Sequence, residues 1–277
     1  MDTERIALTG AKETLLLTLA AKAGESRLPD SLLHDHFAAA AMARIDYDFA
    51  RLNIDRDLMV GLALRAHVLD EWARAFLARN PGATVLHLGC GLDSRVFRLD
   101  PPPEVRWFDV DFPEVVELRR RLYPARKGYT LVGAAVTDPS WLDAIPTDRP
   151  ALILAEGLLL YIAADEVIPL LDRLTARFPG GELAFDGYSR LGLWVVQNHP
   201  SIRRTGARLH WALEETRDLE RAIPRLRLLE ERGAHEPAQT ARMSLSAQCA
   251  MLVARLVPGL GKVGRLLRYR FEARVES

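Results

Sequence analysis

An α/β fold built on a mostly parallel sheet, with helices on both faces, is what this sequence predicts from three observations. After Asn80-Pro81-Gly82, short apolar runs alternate with amphipathic stretches, the pattern of strand–helix–strand units. The run Leu152-Ile153-Leu154-Ala155 is apolar without interruption, as a parallel strand covered on both faces must be. Gly89-Cys90-Gly91 directly follows the first such run, where glycines let a ligand approach the backbone.

Before the break the chain reads as helices. Lys12–Ala23 is apolar on one face and meets Gly24, a helix terminator. Ser31–Ile45 opens on a serine able to cap free N–H groups. Asp57–Arg79 is long and periodic, through Leu58, Leu62, Leu69, Trp72 and Phe76. Strands are expected at Thr84–Leu88, Val105–Val110, Tyr129–Ala134, Leu152–Ala155 and Glu182–Phe185. Helices are expected between them at Pro113–Leu122, Pro139–Ile145 and Asp165–Phe178. Residues 188–224 return to helical character. Leu226–Leu229 and Leu266–Phe271 read as a last pair of strands, separated by an amphipathic helix Ser244–Val257 that Pro258-Gly259 stops. The chain thus divides into an N-terminal helical cap (1–80), a cofactor-binding core (81–188), and helical lid insertions with the last two strands (189–277).

The 277 residues, 49% hydrophobic and 27% charged, suit a globular chain of one large domain with an appendage. Lys and Arg together number 37, as do Asp and Glu, so the basic excess of a nucleic-acid binder is missing. Arg265, Arg268 and Arg270, in a locally basic stretch, read as a solvated strand edge. No window reaches ~18 uninterrupted apolar residues, so no membrane span is expected. Asp2 and Glu4 beside Arg5 are unlike a signal-peptide start. Cys90 and Cys249 have no metal-type spacing, and one bridge between them is possible but not suggested, which points to a reducing, cytoplasmic setting. His34 and His36, two apart on a helix, do not face each other, and no metal site is expected.

Asp109 and Asp111 stand 20 and 22 positions past Gly89, where a carboxylate can hold a ribose diol. Asp111, at the loop edge, is preferred; either residue can alternatively cap the helix opened by Pro113. Ser94 replaces the third glycine of G-x-G-x-x-G. The full pattern serves a pyrophosphate at a helix N-terminus, so its loosening favours a ligand without phosphate.

Leu88–Arg95, Asp109–Pro113 and Ala155-Glu156-Gly157-Leu158-Leu159-Leu160-Tyr161 together resemble the leucine carboxyl methyltransferase and tetracenomycin polyketide O-methyltransferase family. Trp211–Glu215 through Arg227–Glu231 resembles the C-terminal part of its polyketide-type branch. The resemblance, covering roughly residues 9–272, implies a Rossmann-like class I methyltransferase fold with seven strands, the last antiparallel. It also implies S-adenosyl-L-methionine as cofactor and methylation of a small-molecule oxygen, as in a polyketide or other secondary metabolite. By matching position, Gly89 and Gly91, with Cys90 between them, face the methionine part of the cofactor. Asp111, beside Phe112, holds the ribose, with Asp109 as the alternative. Glu156, followed by Gly157, receives the amino group directly or through water. Arg65 matches an arginine that reaches active-site carboxylates, the cofactor's or the acceptor's, and Tyr161 matches a tyrosine near the substrate. These two are the expected catalytic pair.

Two positions depart from the family pattern. Ala135 stands where an adenine-binding aspartate is frequent, which leaves the Val136 backbone or Asp138 for that task. Leu16 or Leu17 stands where the protein-methylating branch has a lysine, with Lys12 and Lys22 out of phase. A protein C-terminus is therefore disfavoured as acceptor.

A carboxylate nucleophile, with a reference pKa of about 4, is ionised at pH 7 and needs only orientation, whereas a phenol, at about 10, needs a base. No unambiguous base stands out, which favours carboxylate methylation. His67, two residues from Arg65, is a low-ranked base or substrate contact; Tyr188, with Asp186, ends the fifth strand on the substrate side. His87 reads as structural, and Trp194, Trp211 and Met251 as core or pocket wall. The rival readings are phenol O-methylation, a nicotinamide-dependent oxidoreductase, and a cofactor-binding protein without turnover.

Overall fold

The computed structural model describes residues 4–5, 10–233, 240–256 and 262–272. Its N-terminal part pairs β1 (Glu4–Arg5) in parallel with β2 (Ile45–Asp46) and stacks helices α1 (Thr14–Glu25), α2 (His36–Ala43) and α3 (Arg56–Arg79). Helix α1 runs through Gly24, so that glycine is not its end. The helix expected from Ser31 begins at His36: Asp35 takes the cap, accepting from Ala38 N at 2.8 Å, and Ser31 Oγ donates to Glu25 instead.

The strands are β3 (Thr84–Leu88), β4 (Arg106–Asp111), β5 (Tyr129–Gly133), β6 (Ala151–Ala155), β7 (Gly180–Gly187), β8 (Leu226–Gly233) and β9 (Arg265–Glu272). They form one seven-stranded sheet in the order β5-β4-β3-β6-β7-β9-β8. All neighbours are parallel except β9, which is antiparallel to both β7 and β8. The strand order reverses between β3 and β6, and such a switch point opens a crevice beyond the C-terminal strand ends. The intervening helices are α4 (Arg95–Leu99), α5 (Pro113–Leu122), α6 (Ala164–Ala176), α7 (Arg190–Asn198), α8 (Pro200–Thr205), α9 (Thr216–Ala222) and α10 (Leu245–Leu256). The expected Pro139–Ile145 helix is a short 3-10 turn, Pro139–Ala144. The proposed stop at Pro258-Gly259 lies outside the described residues.

Alternation along each buried strand divides the core into two layers. Val85, Leu152 and Leu154 point to the side covered by α1, α3 and α5, with Trp72, Val115 and Leu118. Leu86, Leu88 and Ile153 point to the other, with Leu170 and Leu171 of α6 and Leu219 of α9. Every residue of β3 and β6 is buried, so both faces are closed to water. Helix α7 sits close over the chain at 263, where a Cβ on Gly192 would meet the Val263 carbonyl oxygen at 1.7 Å.

The solvated edge expected of the β9 arginines is not what forms. Arg265 is buried, donates to the Leu213 and Glu214 carbonyls and pairs with Glu231. Arg268 bridges Glu182 and Glu230, and only Arg270 is exposed. Arg265 points to one face of the sheet and Arg268 with Arg270 to the other, and both Arg265 and Arg268 find carboxylates on the neighbouring strands, Glu231 and Glu230 on β8 and Glu182 on β7.

Candidate active site

A cavity of about 340 Å3 opens at the switch point. The sheet edge supplies its floor: Gly89, Cys90 and Gly91 after β3, Asp111 at the end of β4 with Phe112 next to it, Glu156 and Gly157 after β6, and Tyr188 after β7. The capping helices supply an apolar roof, with Leu15 and Leu17 from α1, Leu58 and Leu62 from α3, Val195 and Val196 from α7, and Ile202 from α8.

The glycine loop is held in one shape. Gly89 and Gly91 have φ of 57° and 49°, a region L side chains rarely adopt. Gly91 N donates to Asp111 Oδ2 at 2.7 Å, and Phe112 N donates to Oδ1 at 2.8 Å. Buried Arg119 of α5 donates to the Gly91 and Asp93 carbonyls at 2.9 and 2.8 Å, pinning the loop from beneath. Burial raises the Asp111 carboxyl, and the two backbone N–H groups oppose that rise. Burial likewise drives the Cys90 thiol well up, so it is a neutral wall group.

Behind the loop, six charged side chains close a ring of alternating sign. Glu156 pairs with Arg95, whose Nε lies 2.7 Å from Asp70. Asp70 pairs with Arg98 at 2.6 Å, Arg98 with Asp93 at 2.9 Å, Asp93 with Lys22 at 2.9 Å, and Lys22 with Glu156 at 3.0 Å. All six side chains are at most 8% exposed. Burial alone would raise the Glu156 carboxyl, but Lys22, Arg95 and Arg65 outweigh it and hold the group far below the ordinary range.

Arg65 of α3 meets Glu156 with Nε and Nη2, both at 3.3 Å, and Asp186 with Nη1 at 3.1 Å. The Tyr188 hydroxyl lies 3.5 Å from the same Nη1 and donates to Asp186 at 2.9 Å. Of the five N–H donors of the guanidinium, three make hydrogen bonds here, one from Nε and two from Nη1, while Nη2 is in ion-pair range of Glu156. Arg65 is on the cavity wall and at the same time ties Glu156, Asp186 and Tyr188 together. Tyr161 hydrogen-bonds Thr14, and burial raises its phenol, keeping it protonated as a donor.

Three expected site residues lie elsewhere. Asp109 is fully buried beneath the loop and bound by Arg119, His87, Trp107 and Tyr129, away from the cavity wall. Val136 is off the wall and accepts from Trp141 through its carbonyl; Ala135 and Asp138 are off it too, Asp138 capping the 3-10 turn. His67 points away toward Glu71, 3.4 Å distant on the same helix. His87 bridges Asp109 and Arg95; since the guanidinium only donates, Nε2 accepts and Nδ1 carries the proton to Asp109. Trp211 is buried against Phe185, whereas Trp194 is 64% exposed.

Lys22, judged out of phase, is on the wall, because the buried face of α1 is broad enough to include it. A lysine inside the run Leu15–Ala23 was the available signal: so apolar a setting demands a carboxylate partner. Asp93 and Arg95 were visible in the loop motif but carried no assigned role. Among the described residues no group of three or more metal-ligating side chains occurs, and no helix is long and apolar enough to cross a membrane.

A seven-stranded sheet with an antiparallel β9, a glycine loop lacking the third glycine, and a carboxylate at the end of the next strand define the class I S-adenosylmethionine-dependent methyltransferases. The leucine carboxyl methyltransferase pattern matches residues 15–175, and the chain belongs to that family. It is 43% identical to tetracenomycin polyketide synthesis O-methyltransferase TcmP of Streptomyces glaucescens, over 97% of this chain and 99% of that one. It is 36% identical to the S-adenosyl-L-methionine-dependent methyltransferase dpfgK of Gibberella zeae, over 98% of both. A Thermobifida fusca protein described as a methyltransferase shares the fold with a TM-score of 0.58 at 18% identity, covering 96% of each chain. The chain is thus an S-adenosylmethionine-dependent O-methyltransferase.

Proposed function

We propose that the enzyme methylates a carboxylate on an apolar small molecule, such as a polyketide or related secondary metabolite. One observation carries this reading: no described group on the cavity wall is set up as a base. Asp111 accepts two backbone N–H groups, Glu156 is surrounded by three cations, and both His87 nitrogens are engaged. A nucleophile already ionised at neutral pH suits such a wall, and a carboxylate is one.

The residues present fit S-adenosylmethionine. Gly89 and Gly91 bring backbone without a Cβ to the cavity wall, and Asp111 offers acceptor oxygens for a ribose. Lys22 and Arg65, both on the wall, supply positive charge for a carboxylate, and Glu156 beside them negative charge for an ammonium. When bound, the cofactor supplies an electrophilic methyl group. The chain's own work is to bind, orient and exclude water. Tyr161 donates toward the acceptor, and the roof leucines and valines desolvate it. Arg65 acts as a positioning residue, fixing Glu156, Asp186 and Tyr188 relative to one another. We place the enzyme in the cytoplasm, on the reading that its free Cys90 and Cys249 suit a reducing compartment.

The test is turnover on polycyclic aromatic acids and on phenols of the same skeleton, with products identified by mass spectrometry. Base-labile methyl esters are expected from the acids. Methyl ethers from the phenols, with the acids untouched, would overturn the reading.

A further inference from the structure

His199 lies on the cavity wall at the joint between α7 and α8, and no role in the site described so far falls to it. Its backbone is extended, with φ −62° and ψ 132°, and its side chain caps α8: Ser201 N donates to Nδ1 at 3.3 Å. A backbone N–H can only donate, so Nδ1 accepts and the proton of the neutral ring sits on Nε2. Among the described residues Nε2 has no hydrogen-bond partner, and the other wall residues that α7 and α8 contribute are apolar: Val195, Val196 and Ile202. A donor without a partner on an apolar stretch of wall is a recognition element, since covering it with a ligand that offers no acceptor is costly.

The fold decides which reactant it meets. The glycine loop and Asp111 belong to β3 and β4, on one side of the switch point. Helix α7 follows β7, on the other side of it. We propose that His199 is a specificity-determining residue of the acceptor site, donating Nε2–H to a carboxylate oxygen of the methyl acceptor. This rests on the acid reading above. It also excludes His199 as the general base for a phenol, because its accepting nitrogen is used up by the cap.

His199→Asn separates recognition from scaffolding, because asparagine is among the best capping residues and can take the Ser201 N–H. The probes are anthracenecarboxylic acid and anthracene, followed by fluorescence with enzyme saturated in S-adenosylhomocysteine. The variant is expected to bind the acid about 10-fold more weakly, the scale of a hydrogen bond to a charged group, while affinity for anthracene, for S-adenosylhomocysteine and the melting temperature stay unchanged. Equal acid binding by wild type and variant overturns the role of His199 and leaves the acid reading standing. Anthracene bound by wild type as tightly as the acid overturns both, as does failure of the acid to bind. Should the variant fail to fold, a long-range nitrogen–proton NMR correlation on wild type decides: an Nε2–H imidazole perturbed by the acid supports the assignment, and an Nδ1–H or unperturbed one overturns it.

Discussion

Lys22 shows how much rests on single side chains in this site. It is 3% exposed and lies between Asp93 and Glu156. Lys22→Met keeps the apolar stem but leaves two carboxylates facing each other in low dielectric. Breaking a buried pair from one side costs about 3–5 kcal/mol, so scanning calorimetry is expected to show a large fall in melting temperature. A change within error would mean that water already solvates the pair. Asp111→Ala addresses the floor instead. It removes the acceptor of Gly91 N and of any ribose hydroxyl, and cofactor affinity is expected to weaken by about 1–3 kcal/mol in titration calorimetry. The motif spacing singled out two aspartates near the end of one strand, and only the place of Asp111 at the loop edge favoured it. What separates them is the partner set: Arg119, two helical turns on, claims Asp109 and leaves Asp111 to the loop. His199 was illegible because its role depends on a cap and a cavity, and neither leaves a local pattern in sequence.

At the scale of elements, hydrophobic periodicity located the strands and long helices to within a few residues. It failed where polar side chains set the ends. Asp35 rather than Ser31 starts α2, because Ser31 is drawn to Glu25. The lid-like turn Gly10–Glu13 carries a further consequence. Its Lys12 pairs with Glu114 and sits 4.4 Å from the centre of the Phe112 ring, joining the first helical segment to the far rim of the cavity. Both partners are substantially exposed, so the clasp is weak and salt-sensitive. Lys12→Ala is therefore expected to speed release of S-adenosylhomocysteine by about 2- to 5-fold, matching an exposed pair of ~0.2–1 kcal/mol, with little change in melting temperature. Stopped-flow displacement reads this directly, and an unchanged off-rate would show that the clasp does not gate exit.

For the molecule as a whole, the ring of buried charges predicts a sign for stability against pH. Asp70, Asp93 and Glu156 all have carboxyls depressed in the folded state; burial opposes this, and the neighbouring cations prevail. The unfolded chain therefore binds more protons than the folded one in the acid range. The ring's contribution is complete above the unfolded carboxylate range, near about 4, and drains away as pH falls through the lower folded values. Melting temperature is expected to hold from neutral pH to about 5 and then drop steeply, and Glu156→Gln should make that drop shallower. An equally steep drop in the variant would place the acid sensitivity elsewhere.

The same ring has a consequence for how the site is laid out along the chain. Its members sit at 22, 70, 93, 95, 98 and 156, on α1, α3, the glycine loop, α4 and the end of β6. No contiguous stretch of chain can close it. Between the glycine loop and Glu156 the chain lays down β4 and β5 and their connections before it returns beside β3 as β6. The motif and the charge that closes the ring behind it are thus written far apart: a stretch of chain ending short of residue 156 contains the glycine loop without the carboxylate that joins Lys22 to Arg95.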